Sequence, residues 1–338
     1  MFIPWHDASV RLTGRWSRLD KDESDPHIFT KPTARFTTTT AAGSYFEIAF
    51  EGHSIVLLFD LGYLGQPFPH LWIQLDGGAN VEAPVDRYLR VDAGAPGRHT
   101  LRVSYKGGME MLPRWHQPLM GAVSFIGYRA DAPAALEKDE RRIIEFIGDS
   151  ITEGVLIDAD FDSVSPNTID QFNRPYQDDS AATYASLTAK KLNLRPIFQA
   201  YGAVGLTRQG CGSVPRAGLI YPWVFEHVPY TGEKPDYVVI NHGANDRGTD
   251  AGEYLMRYEE LIDMVHDSAP KAEIVCLGAF CGAFDEELGC FVSKLNRPYV
   301  HFVSTRGWLP AEPLHPLRDG HMIAAERLTE ALRTLFLL

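Results

Sequence analysis

Between Gly43 and about Arg129, apolar residues come in short runs, some alternating with polar residues, and Gly, Pro and Asp separate the runs. Tyr45 to Phe50, Ser54 to Asp60, Leu71 to Leu75, Tyr88 to Val91, His99 to Tyr105 and Ala122 to Tyr128 are strand-sized, and no helical stripe intervenes. This spacing predicts an antiparallel β-sandwich. Asp76-Gly77-Gly78 and Lys106-Gly107-Gly108 supply residues that tolerate the positive φ of tight turns.

From Ile143 onward the rhythm changes. Strand-like runs at Ile143 to Ile147, Pro196 to Ala200, Tyr237 to Asn241, Glu273 to Gly278 and Tyr299 to Val303 alternate with helical patterns at Ala181 to Leu192, Glu253 to His266 and Met322 to Leu335. In the second of these, Leu255, Tyr258, Leu261, Ile262 and Val265 recur at helical spacing. Alternating strands and helices imply a parallel sheet covered on both faces. Between the two rhythms lies DAPAALEKDERR, Pro- and Ala-rich and then highly charged, as expected of a solvated connection. The chain therefore divides into an all-β domain over 1–130, a linker over 131–142 and an α/β domain over 143–338.

Composition narrows the class. At 338 residues, with 45% hydrophobic and 22% charged residues, the chain is an ordinary folded protein, which excludes collagen-like, coiled-coil and disordered classes. A net charge of −12 disfavours a nucleic-acid partner. No apolar run is long enough to span a bilayer. The opening MFIPWHDASVRLTGRW lacks the basic and apolar regions of a secretory leader, so a cytoplasmic location is expected, with secretion after leader removal as the alternative. Cys211, Cys276, Cys281 and Cys290 show no paired spacing and read as reduced thiols, a Cys281–Cys290 bridge being the alternative.

In parallel sheets with helices on both faces, ligands sit beyond the carboxyl ends of the strands. The polar residues that follow each run are therefore the candidates. After the first comes Gly148-Asp149-Ser150-Ile151-Thr152-Glu153-Gly154, where a serine at a strand-to-helix turn presents a hydroxyl to a ligand, or Asp149 and Ser150 cap a helix. After the second comes Tyr201-Gly202-Ala203-Val204-Gly205, whose glycines serve a turn or let a backbone N–H approach a substrate oxygen. After the third, Asn241-His242-Gly243-Ala244-Asn245-Asp246 offers the amide of Asn245, or an Asx-turn. Before the final helix, Glu312-Pro313-Leu314-His315-Pro316 supplies an imidazole able to take a serine proton near neutral pH, and Asp319 with His321 forms a competing pair.

Taken together, these blocks resemble the SGNH hydrolases, the GDSL-type esterases and lipases, over roughly Ile143 to Leu335. The resemblance implies Ser150 as nucleophile, His315 as base, and an oxyanion hole built from the N–H groups of Ser150 and Gly205 with the Asn245 amide. It also implies a flavodoxin-like domain with a five-stranded parallel sheet and a serine-ester mechanism needing no metal or organic cofactor. Where the family usually has Asp three residues before the histidine, this chain has Glu312, so either Glu312 or a backbone carbonyl orients His315. Gly14-Arg15-Trp16 and Gly43-Ser44-Tyr45-Phe46-Glu47 leading into Phe50-Glu51-Gly52-His53-Ser54-Ile55-Val56 resemble the jelly-roll domain of family-two carbohydrate esterases.

The combined architecture implies deacetylation of sugars or plant polysaccharides, so an acetylated carbohydrate is the expected partner, with neither nucleic acid nor membrane. Homo-oligomerisation is left open. The alternatives are a short-chain lipid or thioester hydrolase with the same blocks, and a carbohydrate-binding protein whose hydrolase domain has lost activity. Two long connections, Asp158 to Ser180 and Leu206 to Pro235, are expected to wall the site. Within the second, Trp223 is the expected sugar contact, and Trp308 either lines the pocket or packs in the core.

Overall fold

A computed structural model describes residues 1–17, 36–159, 174–310 and 312–338. The Asp158 to Ser180 connection lies largely outside the described residues. The amino-terminal domain is built on strands β1 (Phe2–Pro4), β2 (Val10–Thr13), β3 (Thr37–Thr39), β4 (Tyr45–Asp60), β5 (His70–Leu75), β6 (Val81–Pro84), β7 (Tyr88–Gly107), β8 (Val123–Arg129) and β9 (Ala132–Pro133). All pairings among them are antiparallel, along a path β1-β8-β4-β7-β5-β6. Phe46, Phe59 and Phe125 sit at the centre of the enclosed core, Phe46 and Phe125 stacked with ring centroids 4.0 Å apart.

Two pairs of expected strands are each one long strand. Within β4 and β7 the interruption is a bend, where Gly52 at φ 138° pairs with Gly97 at φ 154° and the register shifts between Gly52 and Ser54. Glycine in a strand marked a bulge rather than an end. Asp76 and Gly77 both adopt positive φ between β5 and β6, as expected of a tight turn. Lys106-Gly107-Gly108 does not make a turn of this kind: Lys106 and Gly107 end β7, and a Cβ on Gly107 would lie 2.7 Å from the Asp178 side chain across the domain seam.

The expected linker is tied down along its length. Ala132 and Pro133 pair with Glu51 and Phe50 of β4, Ala134 N–H donates to Ala49, and the carbonyls of Ala135 and Glu137 accept from Arg98 and Arg11.

In the second domain, β10 (Ile143–Gly148), β11 (Arg195–Ala200), β14 (Tyr237–Asn241), β15 (Glu273–Leu277) and β16 (Val300–Val303) form a parallel sheet in the order β11-β10-β14-β15-β16. A small hairpin of β12 (Trp223–Phe225) and β13 (Val228–Pro229) stands apart. The helices are α1 (Ser150–Glu153), α2 (Arg174–Gln177), α3 (Tyr184–Lys191), α4 (Ala217–Ile220), α5 (Ala251–Ser268), α6 (Asp285–Leu295) and α7 (Arg318–Phe336). Every residue of β10 and β14 is buried, which explains why these strands read as unbroken apolar runs. One face packs with α3 and α7, the other with α5 and α6. The second core also takes in Ala41, Tyr63, Trp115, Leu119 and Ala122 of the sandwich, so the two domains share packing. β10 lies between β11 and β14, where the strand order reverses, and its carboxyl end is the crevice in which such sheets bind ligands.

Candidate active site

β10 delivers the first block. Gly148 closes the strand where a Cβ would meet Thr152 Oγ1 at 2.1 Å, so α1 can fold directly back over the strand end. Asp149 caps that helix, its Oδ1 accepting from the Ile151 N–H at 3.0 Å. Ser150 is the first helical residue and is only 6% exposed. Its N–H, in the first turn, has no intrahelical acceptor.

His315 comes from the segment just before α7, 165 residues later in the chain, and its Nε2 lies 2.8 Å from Ser150 Oγ. Burial is the main influence on this imidazole and lowers its pKa below the ordinary value; Glu110 opposes the shift and Arg174 adds to it. The neutral imidazole therefore predominates at pH 7, with Nε2 accepting the serine proton. His315 and Ser150 thus stand in the hydrogen-bond contact that a serine nucleophile and its base require.

Glu312 is not brought to this pair. It is exposed, and among the described residues no hydrogen bond links its carboxylate to His315. The competing base, His321, is buried; its Nδ1 accepts the Tyr184 N–H at 3.0 Å, and burial pushes its pKa down to about 3. His242 is likewise buried and pushed down to about 4. Neither takes a proton near neutral pH.

Asn245 follows β14, and its Nδ2 donates to Asp149 Oδ2 at 3.1 Å and to the Val204 carbonyl at 3.2 Å. This amide therefore bridges the first, second and third blocks. Gly205 N–H donates to the Arg208 carbonyl at 3.1 Å within its own turn. The residue has a steric reason to be glycine, because a Cβ would lie 2.6 Å from Asp246 Oδ1.

Asp246 is fully buried and accepts from Leu206 N–H at 3.1 Å, Thr207 N–H at 2.8 Å and Thr207 Oγ1 at 2.7 Å, clamping the second block to the third. Sequence reasoning assigned it no role, although it adjoins Asn245. Asp149 has its pKa pushed up to about 7, chiefly by burial and further by Asp246 and Glu153, while the N–H bonds it accepts oppose the rise.

The wall beside the serine comes partly from the sandwich. Arg114, in the loop after β7, pairs with Glu153 of α1, and both side chains are buried. Glu110 of the same loop pairs with Arg174 at 3.1 Å and lies over Gly202, where a Cβ would collide with its carboxylate. No motif marked these residues, because their partners are far away in the chain.

Trp223 lies elsewhere. It is half-buried in the β12–β13 hairpin, packs against the α5 side of the sheet, and its carbonyl accepts from Arg15. Trp308 packs on the opposite core near Phe280, with centroids 6.4 Å apart. The four cysteines are unpaired, Cys276 buried and Cys290 exposed. Among the described residues no helix is long and apolar enough to cross a membrane, and no group of three His, Cys, Asp or Glu side chains is arranged to hold a metal ion.

Comparison with known proteins agrees with this arrangement. The sequence profile of the GDSL-like Lipase/Acylhydrolase family matches residues 146–323. The chain is 29% identical over 248 residues to cellulase/esterase CelE of Acetivibrio thermocellus, a match covering 63% of this chain and 28% of that much longer protein. It is 25% identical over 284 residues to the acetylxylan esterase / glucomannan deacetylase of Cellvibrio japonicus, covering 77% of this chain and 74% of the relative. Among solved structures, a family two carbohydrate esterase from Clostridium thermocellum in complex with cellohexaose superposes with a TM-score of 0.73 at 25% identity, covering 96% of this chain and 98% of that one. With the profile spanning more than half its length, and a hydroxyl and an imidazole joined at the strand end where the blocks converge, the chain belongs to the GDSL-like lipase/acylhydrolase family.

Proposed function

We propose that this protein is a serine esterase that removes acetyl or other short acyl groups from carbohydrates or plant polysaccharides. The observation that carries the reading is the 2.8 Å contact between Ser150 Oγ and His315 Nε2 at the carboxyl end of β10, in a two-domain chain of carbohydrate-esterase architecture. His315 accepts the Ser150 proton as Oγ attacks the ester carbonyl, and the carbonyl electron pair moves onto oxygen. Collapse of this intermediate breaks the bond to the sugar oxygen, which takes the proton from His315 and leaves. Water, deprotonated by the same imidazole, then cleaves the acyl-enzyme to carboxylate and restores Ser150.

The oxyanion is assigned to the N–H groups of Ser150 and Gly205 and to the Asn245 amide. The carbonyls that Gly205 and Asn245 now face, Arg208 and Val204, are neutral acceptors at 3.1 and 3.2 Å. An anionic oxygen forms roughly twice as strong a hydrogen bond and displaces them. Asp149 holds the Asn245 amide in direction, and the third member of a triad is not assigned to Glu312.

The test is acetate release from acetylated xylan and glucomannan, measured beside cleavage of longer-chain aryl esters, for wild type and Ser150→Ala. Wild type should favour the acetylated polymers, and Ser150→Ala should lose on the order of 10⁴-fold or more in kcat while melting at the wild-type temperature. Preference for long acyl chains would move the assignment to lipid hydrolysis, and turnover retained by the alanine variant would end the serine mechanism.

A further inference from the structure

Strand β5 alternates. Leu71 and Ile73 turn into the sandwich core, whereas Trp72 and Gln74 turn out, and pairing with β7 sets them beside Ser104 and Arg102 on the same face. A tryptophan on the polar face of a strand fills no core. This one is half-buried, and it faces the catalytic domain across the seam between β5 and α3.

Two adjoining hollows of about 330 Å³ each share Trp72 and Asn80 as lining. Each falls within the roughly 300–1,000 Å³ typical of small-molecule sites. The first runs against Leu187, Arg318 and Met322 and so opens at the start of α7, three residues beyond His315. The second continues along α3 past Ser186 and Asn193 toward Pro196.

The indole is fixed in one orientation. Its Nε1–H donates to Asp179 Oδ1 at 2.8 Å, and the Lys106 ammonium lies 5.5 Å from its centroid. Asp179 is itself buried and also accepts from Arg318 at 2.8 Å, so the ring is locked to the catalytic domain rather than only to its own strand. Around this rigid apolar plate stand the amides of Gln74, Asn80 and Asn193, the hydroxyls of Ser104 and Ser186, and the hydrogen-bond donors of Arg102, Arg141 and Lys190. That combination suits a pyranose, which has an apolar C–H face bordered by hydroxyl groups, and it offers aromatic area at little cost in side-chain entropy.

We infer that the seam is a subsite for the main chain of a polysaccharide, with Trp72 as the stacking platform for sugar units flanking the one whose acyl group reaches Ser150. This rests on the carbohydrate-esterase reading above and adds a preference for polymer over isolated acetyl ester. The sandwich then contributes directly to substrate choice.

The experiment compares acetylated glucomannan with 4-nitrophenyl acetate in the full-length protein. Trp72→Ala should lower the ratio of polymer to aryl-ester kcat/KM about tenfold, through KM for the polymer, equivalent to about 1.4 kcal/mol of binding. Trp72→Phe, which keeps a ring, should restore most of that ratio. Asn80→Ala removes an amide from an exposed turn and should lower the ratio about threefold, which keeps the test decisive if Trp72→Ala fails to fold. A ratio unchanged in both Trp72→Ala and Asn80→Ala, or equal loss on both substrates, overturns the subsite alone. Wild type that cleaves the aryl ester but releases no acetate from the polymer overturns the carbohydrate reading with it.

Discussion

The two domains meet through buried ion pairs whose cations come mostly from the sandwich, the pair of Arg174 with the sandwich's Glu110 at 3.1 Å running the other way. The sandwich sends cations into the seam: Arg15, Lys106 and Arg114 are each 1% exposed. The catalytic domain receives them with acceptors. Glu145 pairs with Arg15 at 2.6 Å, Glu153 pairs with Arg114, and the carbonyls of Pro175, Tyr176 and Asp178 at the end of α2 surround the Lys106 ammonium. At the strand ends the balance differs. Ser150 and His315 are neutral near pH 7 and meet through one ordinary hydrogen bond, and the neutral Asn245 amide donates to Asp149 and to the Val204 carbonyl. The hydroxyl, imidazole and amide proposed to react are thus uncharged, while the structure that positions them is held by ions that cannot be left unpaired at this depth. The sandwich is therefore tied by buried ion pairs to the elements that carry Ser150, and damage to the two regions should register in different measurements.

The largest effect should come from breaking the seam. Arg114→Met strands the Glu153 carboxylate, three residues beyond Ser150, and should cost about 3–5 kcal/mol of stability, read as a lowered midpoint in chemical denaturation. Pairing it with Glu153→Gln should recover most of the loss. An Arg114→Met protein of wild-type stability would erase the contrast between the regions.

At the strand ends the expectation reverses. Asn245→Ala should lower kcat on the order of 100- to 1,000-fold with the denaturation midpoint little changed, since the side chain contributes chiefly where the oxyanion develops. Loss of stability without loss of turnover would make Asn245 a structural bridge between Asp149 and Val204 instead.

The smallest effects sharpen the assignment of the proton. Burial lowers the pKa of His315 and the neutral form is the base, so kcat/KM should fall on the acid side with a midpoint below about 6.5. The same group makes stability decline as pH drops below 6.5, because the unfolded chain then binds the proton more readily. Asp149 acts in the opposite sense. Its folded pKa of about 7 lies above its unfolded value near 4, so its contribution to stability falls as pH rises through that window. An acid limb centred near 7 would therefore give the controlling proton to Asp149. Glu312→Gln should change neither the midpoint nor kcat/KM by more than about threefold, whereas removing a true triad acid costs about 10⁴.

Much of the architecture was legible before folding, and its errors are instructive. The five catalytic strands emerge where their apolar runs lie, because a strand buried on both faces needs such a run. The strands bent at Gly52 and Gly97 read as four in the sequence because glycine signals both turns and bulges. Helix α6 carries no start signal in the sequence, its acidic first turn Asp285-Glu286-Glu287 following a left-handed Phe284 that offers no capping side chain. In the sandwich, β1 to β3 are only three or four residues long and carry too little periodicity to be seen.

The sequence by itself determined the strand–helix alternation, the sandwich ahead of it, and the polar blocks that end successive strands, since periodicity and turn chemistry are properties of neighbouring residues. Only the tertiary structure decided that His315 reaches Ser150 across 165 residues, that Glu312 stays outside, that Gly205 closes a turn beside buried Asp246, and that Arg114 and Trp72 belong to the catalytic side of the molecule. Each of those outcomes depends on burial and distance between segments remote in the chain, and such quantities exist only once the two domains have closed on each other.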